Sequence, residues 1–160
     1  MARVVITIKG VEKLQKRFDK IANSAGVKQA VVQGTSIVLS AAKHYAPVGR
    51  ENGGALRASI HMDVKQTETE IAGKVFAGSG HAMYVEFGTG IVGEESLYPR
   101  AAELGLKYAQ YDWVYTPDGG EHFYHTKGYR ARPFMYPALK QNKKKIIQLI
   151  ASAMKEDMRR

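Results

Sequence analysis

The best enzymatic cue in the chain is Glu121-His122-Phe123-Tyr124-His125, where two histidines stand three residues apart. On a helix that spacing would put both imidazoles on one face, as a zinc site requires. Here the neighbours are aromatic and the segment lies between Gly119-Gly120 and Gly128, so a strand or hairpin is expected instead. Alternate strand residues face opposite ways, which parts His122 from His125, and no third ligand stands at a matching spacing. Nucleophilic chemistry fares no better. Ser36 and Ser59 lack an elbow motif, and no phosphate-cradling glycine loop precedes a Lys-Ser or Lys-Thr pair. His44, beside Tyr45, reads as a surface or packing residue. Glu86, on an expected strand, reads as an outward, solvated carboxylate. No catalytic residue, metal ligand or cofactor follows, and the chain is expected not to be an enzyme.

Charge gives a second line. The 160 residues hold 24 Lys and Arg against 15 Asp and Glu, a net charge of +9. Lys140, Lys143, Lys144 and Lys145 cluster near the C-terminus and could meet DNA phosphates or an acidic partner. Lysines on the outward face of an amphipathic helix also serve simply to keep it soluble. None of the helix-turn-helix, finger or stacking-sheet signatures accompanies them. The chain has no cysteine, so disulfides, thiol nucleophiles and cysteine–zinc sites are excluded. No apolar run approaches the ~20 residues of a membrane span, and Val4–Ile8 is too short for a signal-peptide core. A soluble, single-domain protein with no membrane partner is expected.

The elements that would position these residues follow from periodicity. Val4, Ile6 and Ile8 alternate with Val5, Thr7 and Lys9, a strand ended by Gly10. Val11, Leu14, Phe18 and Ile21 fit a short amphipathic helix. A second helix is expected from about Val27 to Tyr45, stopped by Pro47. Leu56 to Lys65, Ile71 to Ala77 and Met83 to Phe87 read as strands of an antiparallel meander, with a turn at Thr67–Glu70. The segment Gly88 to Gly128 lacks a sustained period, although Leu97 to Tyr108 could form a short helix. A last helix is expected near Pro137, with Ile147, Ile150, Ala151, Met154 and Met158 as its apolar stripe. The fold class is α+β: an antiparallel sheet of about four strands, packed by N-terminal and C-terminal helices, with a long inserted loop.

Four segments in order carry a resemblance. Ala42-Lys43-His44-Tyr45-Ala46-Pro47-Val48 ends the second helix, and Gly54-Ala55-Leu56-Arg57-Ala58-Ser59-Ile60 follows a glycine-rich loop. Tyr84-Val85-Glu86-Phe87-Gly88-Thr89-Gly90 comes next, and Arg132-Pro133-Phe134-Met135-Tyr136-Pro137-Ala138-Leu139 opens the last helix. This order resembles the tail-completion, or head–tail joining, family of tailed bacteriophages. Family members pass quickly from Glu-Phe-Gly-Thr to the Pro-Phe segment, so residues 91–129 look like an insertion. The usual Thr-Gly before the Leu-Arg strand reads Gly53-Gly54 here.

The resemblance implies a single tail-completion-like domain over residues 1–160 and a structural job in the virion neck, assembled in the host cytoplasm. It implies a ring of identical subunits, a hexamer or alternatively a dodecamer. Its neighbours would be head-closure or connector proteins and the tail terminator or tail tube. Arg57, Glu86 and Arg132 are candidate interface charges. Tyr111, Trp113, Tyr115, Phe123 and Tyr124 of the insertion are candidate interface anchors, being residue types that dominate interfaces. Lys140, Lys143, Lys144 and Lys145 would meet genomic DNA in the bore or an acidic neighbour. A basic DNA-binding accessory protein of phage assembly is the alternative.

Overall fold

The structure is a computed structural model that describes residues 16, 19–20, 24–49, 53–68, 70–96, 98–116 and 119–159. The strand expected over residues 3–9 lies outside them, as does most of the helix expected from Val11. From Ala25 on, the described residues form ten elements. They are α1 (Ala25–Tyr45), α2 (Ala55–Ala58), β1 (Ile60–Gln66), β2 (Ile71–Ala77), α3 (Ala82–Phe87), α4 (Gly90–Glu95), β3 (Trp113–Tyr115), β4 (Tyr124–Thr126), β5 (Gly128–Tyr129) and α5 (Met135–Arg159). The described residues divide into two compact units. One is drawn from 1–37, 62–74 and 142–160, the other from 38–61 and 75–141.

In the first unit the early turns of α1 lie along the late turns of α5. Ser24 caps α1, its Oγ accepting the Val27 N–H at 3.1 Å and donating to the Asp157 carboxylate. The small residue Gly34 lets the helices approach closely. A Cβ there would stand 3.0 Å from an Ile146 methyl, tighter than packed side chains tolerate. Val27 and Ala30 are buried on the same side of α1. The turn joining β1 to β2 is closed by Thr67 N–H to the Glu70 carbonyl at 2.8 Å, with the Thr67 hydroxyl accepting the Glu70 N–H.

The second unit holds the larger core: Val38, Ala42, Ala46, Leu56, Ile60, Ala82, Tyr98, Phe134 and Ala138. Among the described residues no four-stranded sheet is present, and one strand expected for it, residues 3–9, lies outside them. Two separate two-stranded antiparallel sheets form, β1 with β2 and β3 with β4. The difference traces to two segments. Residues expected to open a strand at Leu56 instead make one helical turn, entered through Gly54 at φ 102°, and the strand begins only at Ile60. Met83 to Phe87, expected as a strand, is the helix α3. Its buried residues, Ala82 and Glu86, are four apart and share one helical face. On a strand Glu86 would share its face with Tyr84, which is exposed.

The insertion is not one long loop. It contains α4, the β3–β4 hairpin and β5. Where a helix was expected from Leu97 to Tyr108, the described residues 99–105 form a succession of turns, held by bonds such as Leu106 N–H to the Ala101 carbonyl.

Candidate functional site

Glu86 organises the second unit. It is 5% exposed, and its two carboxylate oxygens receive four donors. Oε2 accepts the N–H groups of Phe134 at 2.7 Å and Met135 at 2.9 Å. Oε1 accepts the Tyr136 N–H at 2.9 Å and, more loosely, the Tyr98 hydroxyl at 3.3 Å.

The three amides are the start of α5, and a helix leaves its first four N–H groups without intrahelical partners. Phe134 sits where a Ser, Thr, Asp or Asn cap would normally stand, and it has no side-chain acceptor. Glu86 supplies the acceptor from 48 residues away. The fourth position is Pro137, which has no N–H to satisfy. The account of orphan donors is therefore complete. The negative charge also sits at the positive end of the dipole of a 25-residue helix.

Aromatic rings wall this carboxylate off from water. Tyr98 stands edge-on to Phe87, with centroids 4.9 Å apart, and to Tyr136 at 5.9 Å. Burial, then the charge and hydrogen bond of Glu86, push the Tyr98 hydroxyl up to about 12. Phe134, 1% exposed, fills the core beneath.

After Glu86 the chain turns through Phe87-Gly88-Thr89-Gly90, and the insertion closes over that turn. Gly88 has φ +76°, and a Cβ there would fall 2.7 Å from the Tyr129 carbonyl oxygen and 2.8 Å from the Ala131 nitrogen. No other residue fits both the conformation and the space. Thr89 and Gly90 pair antiparallel with Tyr129 and Gly128, and the Thr89 hydroxyl accepts the Tyr129 N–H. The Tyr108 hydroxyl donates to the Phe87 carbonyl at 3.0 Å. Burial and then the nearby Glu94 charge raise its pKa. The Ser96 hydroxyl accepts the Ala131 N–H, and the Arg132 N–H reaches the Val85 carbonyl at 2.8 Å. The Trp113 ring lies against Gly90.

The remaining candidate residues fall in different surroundings. Arg57 is exposed and donates to the Ala46 carbonyl at 3.2 Å, just past the end of α1. Arg132 is exposed and lies over the Tyr129 ring, 5.4 Å from its centroid. Tyr111 and Phe123 are 70% and 72% exposed, and Tyr115 and Tyr124 are exposed too. The last two face each other across the hairpin with centroids 5.7 Å apart, in the register Trp113–Thr126, Val114–His125, Tyr115–Tyr124. Lys140 lies over the Tyr136 ring. Lys143, Lys144 and Lys145 are exposed on α5.

Glu86 was expected outward and solvated, and it is instead the buried cap of α5. The sequence reading did not single out Tyr98 or Ser96, and it named Thr89, Tyr108 and Pro137 without their parts in this site. The signal that could have found the Glu86 site is a helix start, Arg132-Pro133-Phe134, that has no capping side chain of its own. Such a start must be capped from elsewhere. Beside Glu86, two apolar grooves open on this unit. One of about 430 Å³ is lined by Tyr84, Leu106, Tyr111 and Trp113 among others. The other, about 340 Å³, is lined by Ala77, Leu104, Met135 and Leu139 among others.

Residues 8–88 match a family described as "Bacteriophage HK97-gp10, putative tail-component". The chain belongs to this HK97 gp10-like family of phage tail components. The match ends on Gly88, so Glu86 and the first half of its turn lie within it while Thr89, Gly90, the insertion and the capped helix start lie beyond. A gp10-like tail component is a part of the virion. Neither a curated protein nor a solved structure matches the chain.

Proposed function

We propose that this gp10-like protein completes the phage tail and joins it to the head as the subunit of a closed ring, with no catalytic role. Its neighbours in that reading are head-closure or connector proteins on one side and the tail terminator or tail tube on the other. A hexamer would suit a sixfold tail. The observation that carries the reading is the β3–β4 hairpin of a tail-component family member. Tyr111, Tyr115, Phe123 and Tyr124 stand exposed on or beside it, and such aromatics anchor interfaces when covered. A ring needs two different patches per subunit that meet head to tail and close. The residues inside, Glu86 foremost, hold the shape that presents them.

The test is native mass spectrometry of the purified protein across concentration, with negative-stain images of the largest species. Closed rings of six or twelve support the reading. A second arm adds the purified protein to tailless heads and free tails and counts joined particles. Monomers at every concentration that also leave joining unchanged would refute it.

A further inference from the structure

Charge is divided unequally between the two compact units. The first, drawn from residues 1–37, 62–74 and 142–160, holds 15 Lys and Arg against 7 Asp and Glu, and the second holds 9 against 8. Nearly all of the +9 net charge therefore belongs to the first unit, at +8. Among the described residues, Lys65 is the one cation of that unit in an ion pair, with Asp63 at 3.8 Å. The other cations described there, on α5 and elsewhere, are all exposed.

The late turns of α5 gather part of this excess. At about 100° per residue, Lys144, Lys145, Gln148, Ser152, Lys155 and Arg159 fall within an arc of about 100° and span about 22 Å. All six are exposed. They lie opposite the packed side, where Ile146 meets Gly34 and Asp157 accepts from Ser24. Every one of them can donate a hydrogen bond, and the arc holds neither an acid nor an apolar side chain. Glu156 is exposed about 20° outside one edge, and the exposed Ile147 and Met158 stand outside the other.

That composition selects the partner. Protein interfaces are depleted in Lys and centred on apolar or aromatic anchors. Helices that lie on lipid need an apolar face, and single strands are held by stacking on aromatic rings. The arc offers none of these. Lys, Arg, Gln and Ser are side chains that meet phosphate oxygens in duplex complexes. A duplex carries a negative charge about every 1.7 Å of its axis, enough along about 22 Å to meet each cation. A face kept only for solubility intersperses both signs. Here Lys155 and Arg159 stand four residues apart as like charges, a mildly destabilising pair that a phosphate would relieve.

We propose that this face of α5 binds the sugar–phosphate backbone of double-stranded DNA without regard to sequence. The remaining positive charge of the first unit would speed the encounter. The proposal goes beyond the ring reading and holds for a lone subunit as for a ring, so its failure leaves that reading standing.

The test is fluorescence anisotropy of a short labelled duplex titrated with the purified protein, from about 50 to about 200 mM salt. Four phosphate contacts should give log K against log salt a slope of about −3.6. Lys144→Gln with Lys155→Gln should weaken binding at least about tenfold and make that slope shallower by about 2. Lys107→Gln with Lys127→Gln removes the same charge from exposed positions of the second unit, and should change affinity by less than about twofold. All four positions are exposed, so circular dichroism should be unchanged in each variant.

Equal losses from the two pairs would tie binding to net charge alone and overturn the proposal. So would no binding at about 50 mM salt, or tighter binding of a single strand than of the duplex. Binding to phosphatidylserine vesicles but not to the duplex would assign the face to lipid. Displacement of the duplex by polyglutamate at equal charge would assign it to an acidic protein. Either result overturns the proposal.

Discussion

Glu86 and Glu121 sit in aromatic surroundings, and the chain treats them in opposite ways. Around Glu86 the rings of Phe87, Tyr98 and Tyr136 close inward, and four donors satisfy the carboxylate. Around Glu121 the rings of Phe123 and Tyr124 stay in water, and the carboxylate is exposed. A buried carboxylate is costly unless its lone pairs are filled, so the first arrangement can exist only where the fold supplies donors. The second leaves its acids and rings available to something outside the chain. One region holds the fold, and in the proposed reading the other serves assembly.

That division can be broken most sharply at Glu86. Glu86→Ala should lower the unfolding free energy by about 4 kcal/mol, because three helix-start amides lose their acceptor. Urea denaturation measures it. Glu86→Gln keeps the volume but turns an amide nitrogen toward N–H donors, and should cost about 2 kcal/mol. Gly88→Ala comes next, at about 3 kcal/mol, from a positive φ and contact with the Tyr129 carbonyl together.

Tyr98→Phe should cost about 1 kcal/mol at neutral pH and carries a pH signature. The folded chain holds the Tyr98 proton more tightly than the unfolded chain does, because its pKa rises from 10.0 to about 12. That stability is fully present below pH 10 and drains as pH climbs toward 12. The alkaline fall in stability should therefore be smaller in Tyr98→Phe than in the natural chain. Smallest of all, Phe123→Ser should move stability by no more than about 0.5 kcal/mol, since its ring is already in water.

The two long helices were legible because their signals are local. Pro47 and the small residues of α1 set its extent to within two residues, and the alternation of Ile71 to Ala77 gave β2 its observed bounds. The hairpin around His125 was legible from its flanking glycines and aromatics. What stayed hidden was long-range. Ala82 to Phe87 has the composition of a strand, and only the demand that Glu86 reach Phe134 makes it helical. The order within the insertion was hidden for the same reason. Tyr98, Tyr108 and Ser96 are placed by partners on the Glu86 turn and beside Tyr129, which no window of neighbouring residues contains.

Native mass spectrometry of the Tyr111→Ser, Phe123→Ser double variant, beside the natural chain at matched concentrations, tests the division most directly. A folded monomer with unchanged urea stability, where the natural chain forms rings, is the expected result. Rings from the double variant at the same concentration would contradict it.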